Sequence, residues 1–348
     1  MVSLRQGIII KSLSTMQKPS ERTQKLLLAQ TEEELFVKVI DENHPFRRLT
    51  SLVDFTQLAE PLRSCYSDLG DTGIDVEKGM KALLIQFWED YSDRQMEKAI
   101  KENMAVRWFC GFGLLEQTPD YSYFSKLRKR IGTKRIAELF NEVNALLKGY
   151  GLFGNVFTFI DASAIITKTA LWEERDRAIK EGAATLNNIN VKEYAKDKDA
   201  RWGAKGKNHF WYGYKRHEAV DMRYGLVSKV TTTAANVLDY EVLERICPSE
   251  GAVFMDKLYD VKKADKILQT HNLHAATIRK NNNRLKNRDL DTWRSAIRMP
   301  FEGTFSKRQK RARFKGLAKV TMQCFLEVIV HNLKKAVTIL PREAPLIA

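Results

Sequence analysis

Residues 155–163 read NVFTFIDAS. A short run of β-branched and aromatic residues that stops at an acid has the composition of a buried strand, with the carboxylate of Asp161 at its C-terminal end. A second run of this kind, GAVFMD at 251–256, stops at Asp256. Between the two lie FWYGYKRHEAVD (210–221) and GLVSKVTTT (225–233), strand-like runs joined through MRY in a hairpin pattern. NVLDYEVLERI (236–246) and VKKADKILQTHN (261–272) carry helical spacing, HAATIRK (274–280) reads as a last strand, and the chain from about Leu290 to Leu340 is largely helical. The polar, lysine-rich stretch from Thr167 to Asn208 reads as an excursion over the surface. Strand, two strands, helix, strand, helix, strand, helix is a mixed α/β order with a sheet flanked by helices. Parallel neighbours would bring Asp161 and Asp256 to one edge of that sheet, where ligands of open α/β sheets bind.

Upstream of Gly149 and Gly151 the periodicity is helical. Thr31 with Glu34, and Ser92 with Gln95, have capping-box spacing. GMKALLIQFWEDY (79–91) supplies an apolar face, and PDYSYFSKLRKRIG (119–132) reads as a turn into a basic helix ending at Gly132. A helix-turn-helix arrangement there would place Lys126, Arg128, Lys129 and Arg130 near phosphates. The expected organisation is a partly helical extension over 1–45, an all-α domain over 46–150, and an α/β domain over 151–348.

The chain has 348 residues and a net charge of +15, an imbalance that draws polyanions and makes their binding salt-sensitive. Nucleic acid is the leading partner, with an anionic membrane surface as the competitor. Cys65, Cys110, Cys247 and Cys324 are far apart, with no CxxC pair, which argues against a zinc cluster or a disulfide framework and suits a reducing cytoplasm. His271 and His274 lack a second ligand pair, His217 reads as a structural strand histidine, and GAKGKN (203–208) is a basic loop without the ending of a phosphate loop. The most apolar long stretch, Val320–Leu340, is interrupted by Glu327, His331, Lys334 and Lys335, so no membrane span is expected.

RMPFEGTFSKRQKRARFKG (298–316) holds one acid, Glu302, among Arg298, Lys307, Arg308, Lys310 and Arg311. A basic stretch that only grips phosphates gains nothing from a carboxylate. Mg²⁺ is held by carboxylates and substrate oxygens, and two such ions clamp the attacking and leaving oxygens of an in-line phosphoryl displacement. A helix crossing the sheet edge would deliver Glu302 to Asp161 and Asp256, with Asp161 bridging and the surrounding bases, together with Lys215 and Lys207, holding the DNA backbone.

SDRQMEKAI (92–100), VRWFCGF (106–112), TPDYSYFSKLRKRIG (118–132), FIDASAI (159–165), DARWGAKGKNHFWYGYKRHEAVD (199–221), GLVSKVTTTAANVLDYEVLE (225–244) and DKLYD (256–260) follow one another in the order seen in a known family. From about Phe46 onward the chain resembles the DDE transposases of bacterial insertion sequences, in the IS-five-type branch. The resemblance implies a ribonuclease H-like catalytic domain with Asp161, Asp256 and Glu302 as catalytic and metal-holding residues. The family's helical signature is Tyr, two residues, Arg, three residues, Glu, six residues, Lys. Arg298 and Glu302 match it, whereas Ser295 and Gln309 stand at the Tyr and Lys positions, with Arg308 and Lys310 beside the latter. Pro300 suggests that the helix starts or kinks there. Also implied are Mg²⁺, with Mn²⁺ as a substitute, and binding of double-stranded terminal inverted repeats and target DNA. Strand cleavage and transfer, a homodimer in the DNA complex and a cytoplasmic, bacterial setting complete the expectation. Two rivals stay open: a non-catalytic DNA-binding regulator, and a ribonuclease H-like nuclease that cuts without joining.

Overall fold

Side-chain caps fix the helix starts of the N-terminal part. Residues 31–39 are helical. After them His44 caps α1 (Pro45–Leu52), Asp54 accepts from Thr56 and Gln57 at the start of α2 (Phe55–Arg63), and Asp75 caps α3 (Val76–Trp88). The expected capping box of Ser92 and Gln95 opens α4 (Asp93–Glu102). Asn103 caps the short α5 (Met104–Phe109). Asp120 caps α6 (Tyr121–Gly149), which Gly132 breaks with φ 74°, so the basic helix does stop where the glycine stands before a second helical stretch resumes. In this computed structural model the described residues are 31–65, 73–167, 172–183, 185–189, 191–206, 209–306 and 309–341. Most of the 1–45 extension therefore lies outside them.

Six strands form one mixed sheet: β1 (Phe157–Ile166), β2 (Arg201–Lys205), β3 (His209–Asp221), β4 (Leu226–Ala234), β5 (Ala252–Met255) and β6 (His274–Thr277). Its order is β2-β3-β1-β5-β6, with β4 also paired to β3. β3 runs antiparallel to β1, β2 and β4, whereas β1, β5 and β6 are parallel. The expected hairpin of β3 and β4 is present.

Four expectations need correction. The first strand does not stop at Asp161. Its pairing with β5 ends at Phe159↔Phe254, but its pairing with β3 continues to Ile166↔Gly213, so β1 is two-sided before Asp161 and one-sided after it. The lysine-rich excursion holds two short helices, α7 (Trp172–Lys180) and α8 (Val191–Tyr194), and then β2. Trp202 of β2 is buried against Tyr212, and the charged residues around it masked the strand in the sequence. The stretch 236–246 forms a 3₁₀ turn, Asp239–Val242, and the single-turn α9 (Leu243–Ile246) in place of one helix.

The last correction concerns the C-terminal region. After α10 (Lys262–Thr270) and β6, α11 (Arg288–Ser306) continues through Pro300. The basic run that follows is extended. The Ile166 N–H donates to the Lys310 carbonyl at 2.7 Å, and the Ala312 N–H donates to the Ile166 carbonyl at 2.8 Å. Helix resumes only at α12 (Leu317–Ile339). Gly316 and Leu317 at its start donate to the carboxylates of Asp197 and Asp199.

One apolar core runs from Phe46 to Val337 without a break between the all-α part and the sheet. α12 makes that continuity, because it packs on α6, α3 and α1 on one side and on β4 on the other. Asn332 of α12 bonds the Val227 backbone at both ends of its amide and also donates to Asn144 of α6. A buried amide satisfied in this way locks the helices to the sheet.

Candidate carboxylate site

Phe159 and Phe254 are register partners on the sheet face that α11 covers, in one cluster with Ile297 and Phe301. Two residues further along each chain come Asp161 and Asp256, and the backbone of Asp256 is still extended. Period-two alternation sends both carboxylates to that same face, where β1 and β5 have just parted. The Ala162 N–H donates to Asp161 at 2.8 Å and the Leu258 N–H to Asp256 at 2.7 Å, which fixes each carboxylate by a local bond. Burial, with Asp256 and Asp239 adding their charge, pushes the Asp161 carboxyl up to about 7. Burial likewise raises Asp256, again with Asp239 adding to it.

Arg298 of α11 lies over this pair. Its guanidinium stacks on the Phe159 ring, 4.9 Å from the centroid, and its charge opposes the rise of both aspartates. Nη2 reaches Glu302 at 3.2 Å, while the buried Nε and Nη1 have no hydrogen-bond partner. A buried N–H left unpaired costs about 1–3 kcal/mol, and these two are available to an anionic group. Glu302 is one helical turn on, with 53% of its side chain exposed.

The structure thus brings Asp161 and Asp256 together and connects Glu302 to them through Arg298. Among the described residues no three His, Cys, Asp or Glu side chains stand close enough to hold a metal ion. The donor chemistry nonetheless fits a hard divalent cation. Two desolvated carboxylates, of which Asp256 raises the proton affinity of Asp161, would be relieved by an oxygen-loving cation between them, and Glu302 offers further oxygens nearby.

Residues 153–333 match the family model described as Transposase DDE domain, and residues 34–130 match the one described as Transposase domain (DUF772). The first match covers more than half of the chain. The chain belongs to the DDE transposase domain family. A solved structure described as a piggyBac transposase synaptic complex with hairpin DNA, determined by cryo-electron microscopy, superposes with a TM-score of 0.27 at 12% identity. That superposition covers 69% of this chain and 52% of the other, so this transposase spans about half the length of that one, and the likeness is too loose to argue from.

The basic residues of this transposase divide by exposure. Lys129 and Arg130 are exposed on α6, and Lys310 and Arg311 are exposed on the extended run beside Ile166. Lys307, Arg308 and Lys207 lie outside the described residues. Arg128, expected on the same phosphate-facing surface, is buried. Its guanidinium makes two bonds to Asp93 at 2.8 and 2.7 Å and one to Gln86 at 3.1 Å, and it stacks on Phe314. The helical period turns Arg128 inward with Phe124 and Leu127, while Lys129 and Arg130 face out. Lys215 is also engaged, donating to the Val237 carbonyl at 2.9 Å and to Asp239 at 2.8 Å. Gln309, at the lysine position of the family signature, bonds Asp90, and the chain there is extended, so no lysine stands on a helix about two turns beyond Glu302.

Two groups at the site carried no signal in the sequence. Asp239 sits in a 3₁₀ turn and acts on both aspartates, and Tyr259 is fully buried nearby. Only the tertiary pairing of Asp239 with Lys215, twenty-four residues earlier, shows where that acid points. His217 is a buried strand histidine bonded to Thr233, as read from its sequence context, and burial pushes it down to about 4. No helix among the described residues is long and apolar enough to cross a membrane.

Proposed function

We propose that the protein is an IS-five-type insertion-sequence transposase that binds the terminal inverted repeats of its element, cuts DNA there and joins the ends to target DNA. The observation that carries this is the meeting of Asp161 and Asp256 at the parting of two parallel strands, beneath an arginine with two unpaired buried N–H groups. The strand order β4-β3-β1-β5-β6, with its second member antiparallel to the others that carry the acids, supports a ribonuclease H-like catalytic domain. Asp161, Asp256 and Glu302 would hold Mg²⁺, or Mn²⁺ in its place. The bound ions would supply Lewis-acid stabilisation of the attacking and leaving oxygens.

The protein's own groups do the rest. Arg298 offers its free N–H groups to the scissile phosphate. Lys129, Arg130, Lys310 and Arg311, with Lys307 and Arg308, hold the flanking backbone. The net charge of +15 draws DNA to the protein. Two element ends must be held together for transposition, so the DNA complex is a homodimer working on double-stranded DNA in a bacterial cytoplasm.

The test uses the full chain with DNA carrying the element's terminal inverted repeats. Asp161→Asn should abolish cleavage, at least a thousandfold, while end binding stays within a few-fold, because it removes a ligand oxygen and no phosphate contact. Cleavage at the normal rate would sink the assignment. Pre-cleaved ends separate transposase from nuclease, since only the former joins them to a target duplex.

A further inference from the structure

Lys215, His217 and Asp239 form a cluster on the opposite face of the sheet from Arg298. Lys215 and His217 alternate along β3, and Ala162, next to Asp161, is the register partner of His217. The Lys215 ammonium grips Asp239 at 2.8 Å and is held in place by the Val237 carbonyl. His217 is fully buried. Its Nε2 is 2.9 Å from the Thr233 hydroxyl, and Nδ1 has no hydrogen-bond partner and stands 4.0 Å from Asp239. Tyr259 is fully buried too, and its hydroxyl has no hydrogen-bond partner. Contact between the turns Asp239–Val242 and Lys257–Tyr259 brings it there, and after burial Asp239 is the strongest influence on its phenol.

The Lys215 ammonium and the buried His217 ring thus face one carboxylate, and the turn that carries the buried Tyr259 packs against the turn that carries that carboxylate. Asp239 thus stands beside His217, the register partner of the residue after Asp161, and in the turn that packs on the turn directly after Asp256.

We propose that Asp239 is a positioning residue of the carboxylate site, clamped by Lys215, His217 and Tyr259, and that its charge helps Asp161 and Asp256 recruit a divalent cation while Lys215 moderates that pull. This rests on the aspartate pair being a cation site, as proposed above. Groups that support a first ligand shell from outside it change metal affinity by about 10–100-fold when removed.

The experiment is titration of the full chain, without DNA, with Mn²⁺ alone, following free Mn²⁺ by electron paramagnetic resonance. Asp239→Asn should weaken binding about tenfold. Asp239→Glu should recover most of it. Lys215→Met should tighten binding several-fold, because it unmasks the Asp239 charge, and the double variant should resemble Asp239→Asn. A purely structural role would weaken binding in both single variants, so shifts in the same direction overturn the inference. So does unchanged binding in Asp239→Asn where Asp161→Asn has lost it. If Asp161→Asn itself binds Mn²⁺ like the unaltered chain, the aspartate-pair assignment fails instead. Should Asp239→Asn not fold, the signs of Lys215→Met and Asp239→Glu decide.

Discussion

Two charged clusters lie buried on the same face of this sheet, and they are built on opposite terms. Asp161 of β1 faces Glu218 of β3 across the ladder, and Ser163 faces Arg216. In the second cluster Arg216 is 1% exposed, pairs with Glu218 at 3.2 Å, and forms a short ion pair with Glu327 of α12, whose other oxygen takes a bond from Gln323. There both carboxylates pair with the one guanidinium. In the first, two acids repel each other under an arginine that keeps two N–H groups unpaired. Neighbouring positions on paired strands can therefore hold a closed network that joins helix to sheet and an open one that awaits a ligand. Burial of charge alone does not tell them apart, but the ion pairs do: Glu218 and Glu327 each pair with Arg216, whereas Arg298 pairs with Glu302 and not with either buried aspartate.

Breaking the closed cluster should produce the largest change in stability. Arg216→Met leaves two buried carboxylates facing each other and should cost about 3–5 kcal/mol in denaturant unfolding. A loss below 1 kcal/mol would mean that the network is not structural. The open cluster should respond with the opposite sign. Native Asp161 keeps its proton up to about pH 7, whereas the unfolded chain releases it near 3.8. Between those values the folded state holds the extra proton, so this group's contribution to stability falls as pH rises and the loss is complete above pH 7. Asp161→Asn should therefore stabilise the metal-free protein at pH 8 by on the order of 2–4 kcal/mol, since one pKa unit corresponds to about 1.4 kcal/mol, and should leave it nearly unchanged at pH 4. An equal effect at both pH values would refute the assignment of that proton.

Smaller effects sharpen the contrast at the proposed DNA-binding surface. Arg298→Ala should weaken DNA binding and lower the slope of log affinity against log salt by about 1. An unchanged slope would remove Arg298 from the phosphate track. Lys129→Ala should reduce the slope similarly without altering the melting temperature, whereas Arg128→Ala should lower the melting temperature by several degrees through loss of its Asp93 bonds, leaving the slope as it was.

What could be read from the sequence follows the range of the forces involved. Asp161 and Asp256 were legible because period-two patterning and parallel pairing are properties of short runs, and both runs end in the same apolar–acid pattern. The hairpin of β3 and β4, the cap of Ser92 and the break at Gly132 are local for the same reason. β2 was missed because its identity depends on Trp202 meeting Tyr212 and on Gly203, where a Cβ would come within 2.8 Å of Ala235. The buried state of Arg128, the spent charge of Lys215 and the role of Asp239 all depend on partners more than twenty residues away. The helix expected to carry Lys310 gave way to an extended strap because Ile166 captures that backbone, a contact that no local pattern encodes.

That strap has a mechanical consequence. Its backbone is stitched to the far end of β1, while Arg313 reaches across to the Tyr91 carbonyl at 3.0 Å and stacks on Phe87 in the helical part. The strand bearing Asp161 and the loop between α3 and α4 are thus fastened to one short cationic tie. With α12 packed on both halves behind it, the described part of the protein resembles a fixed caliper, in which the helical part and the strand bearing Asp161 are held at a separation set by the fold.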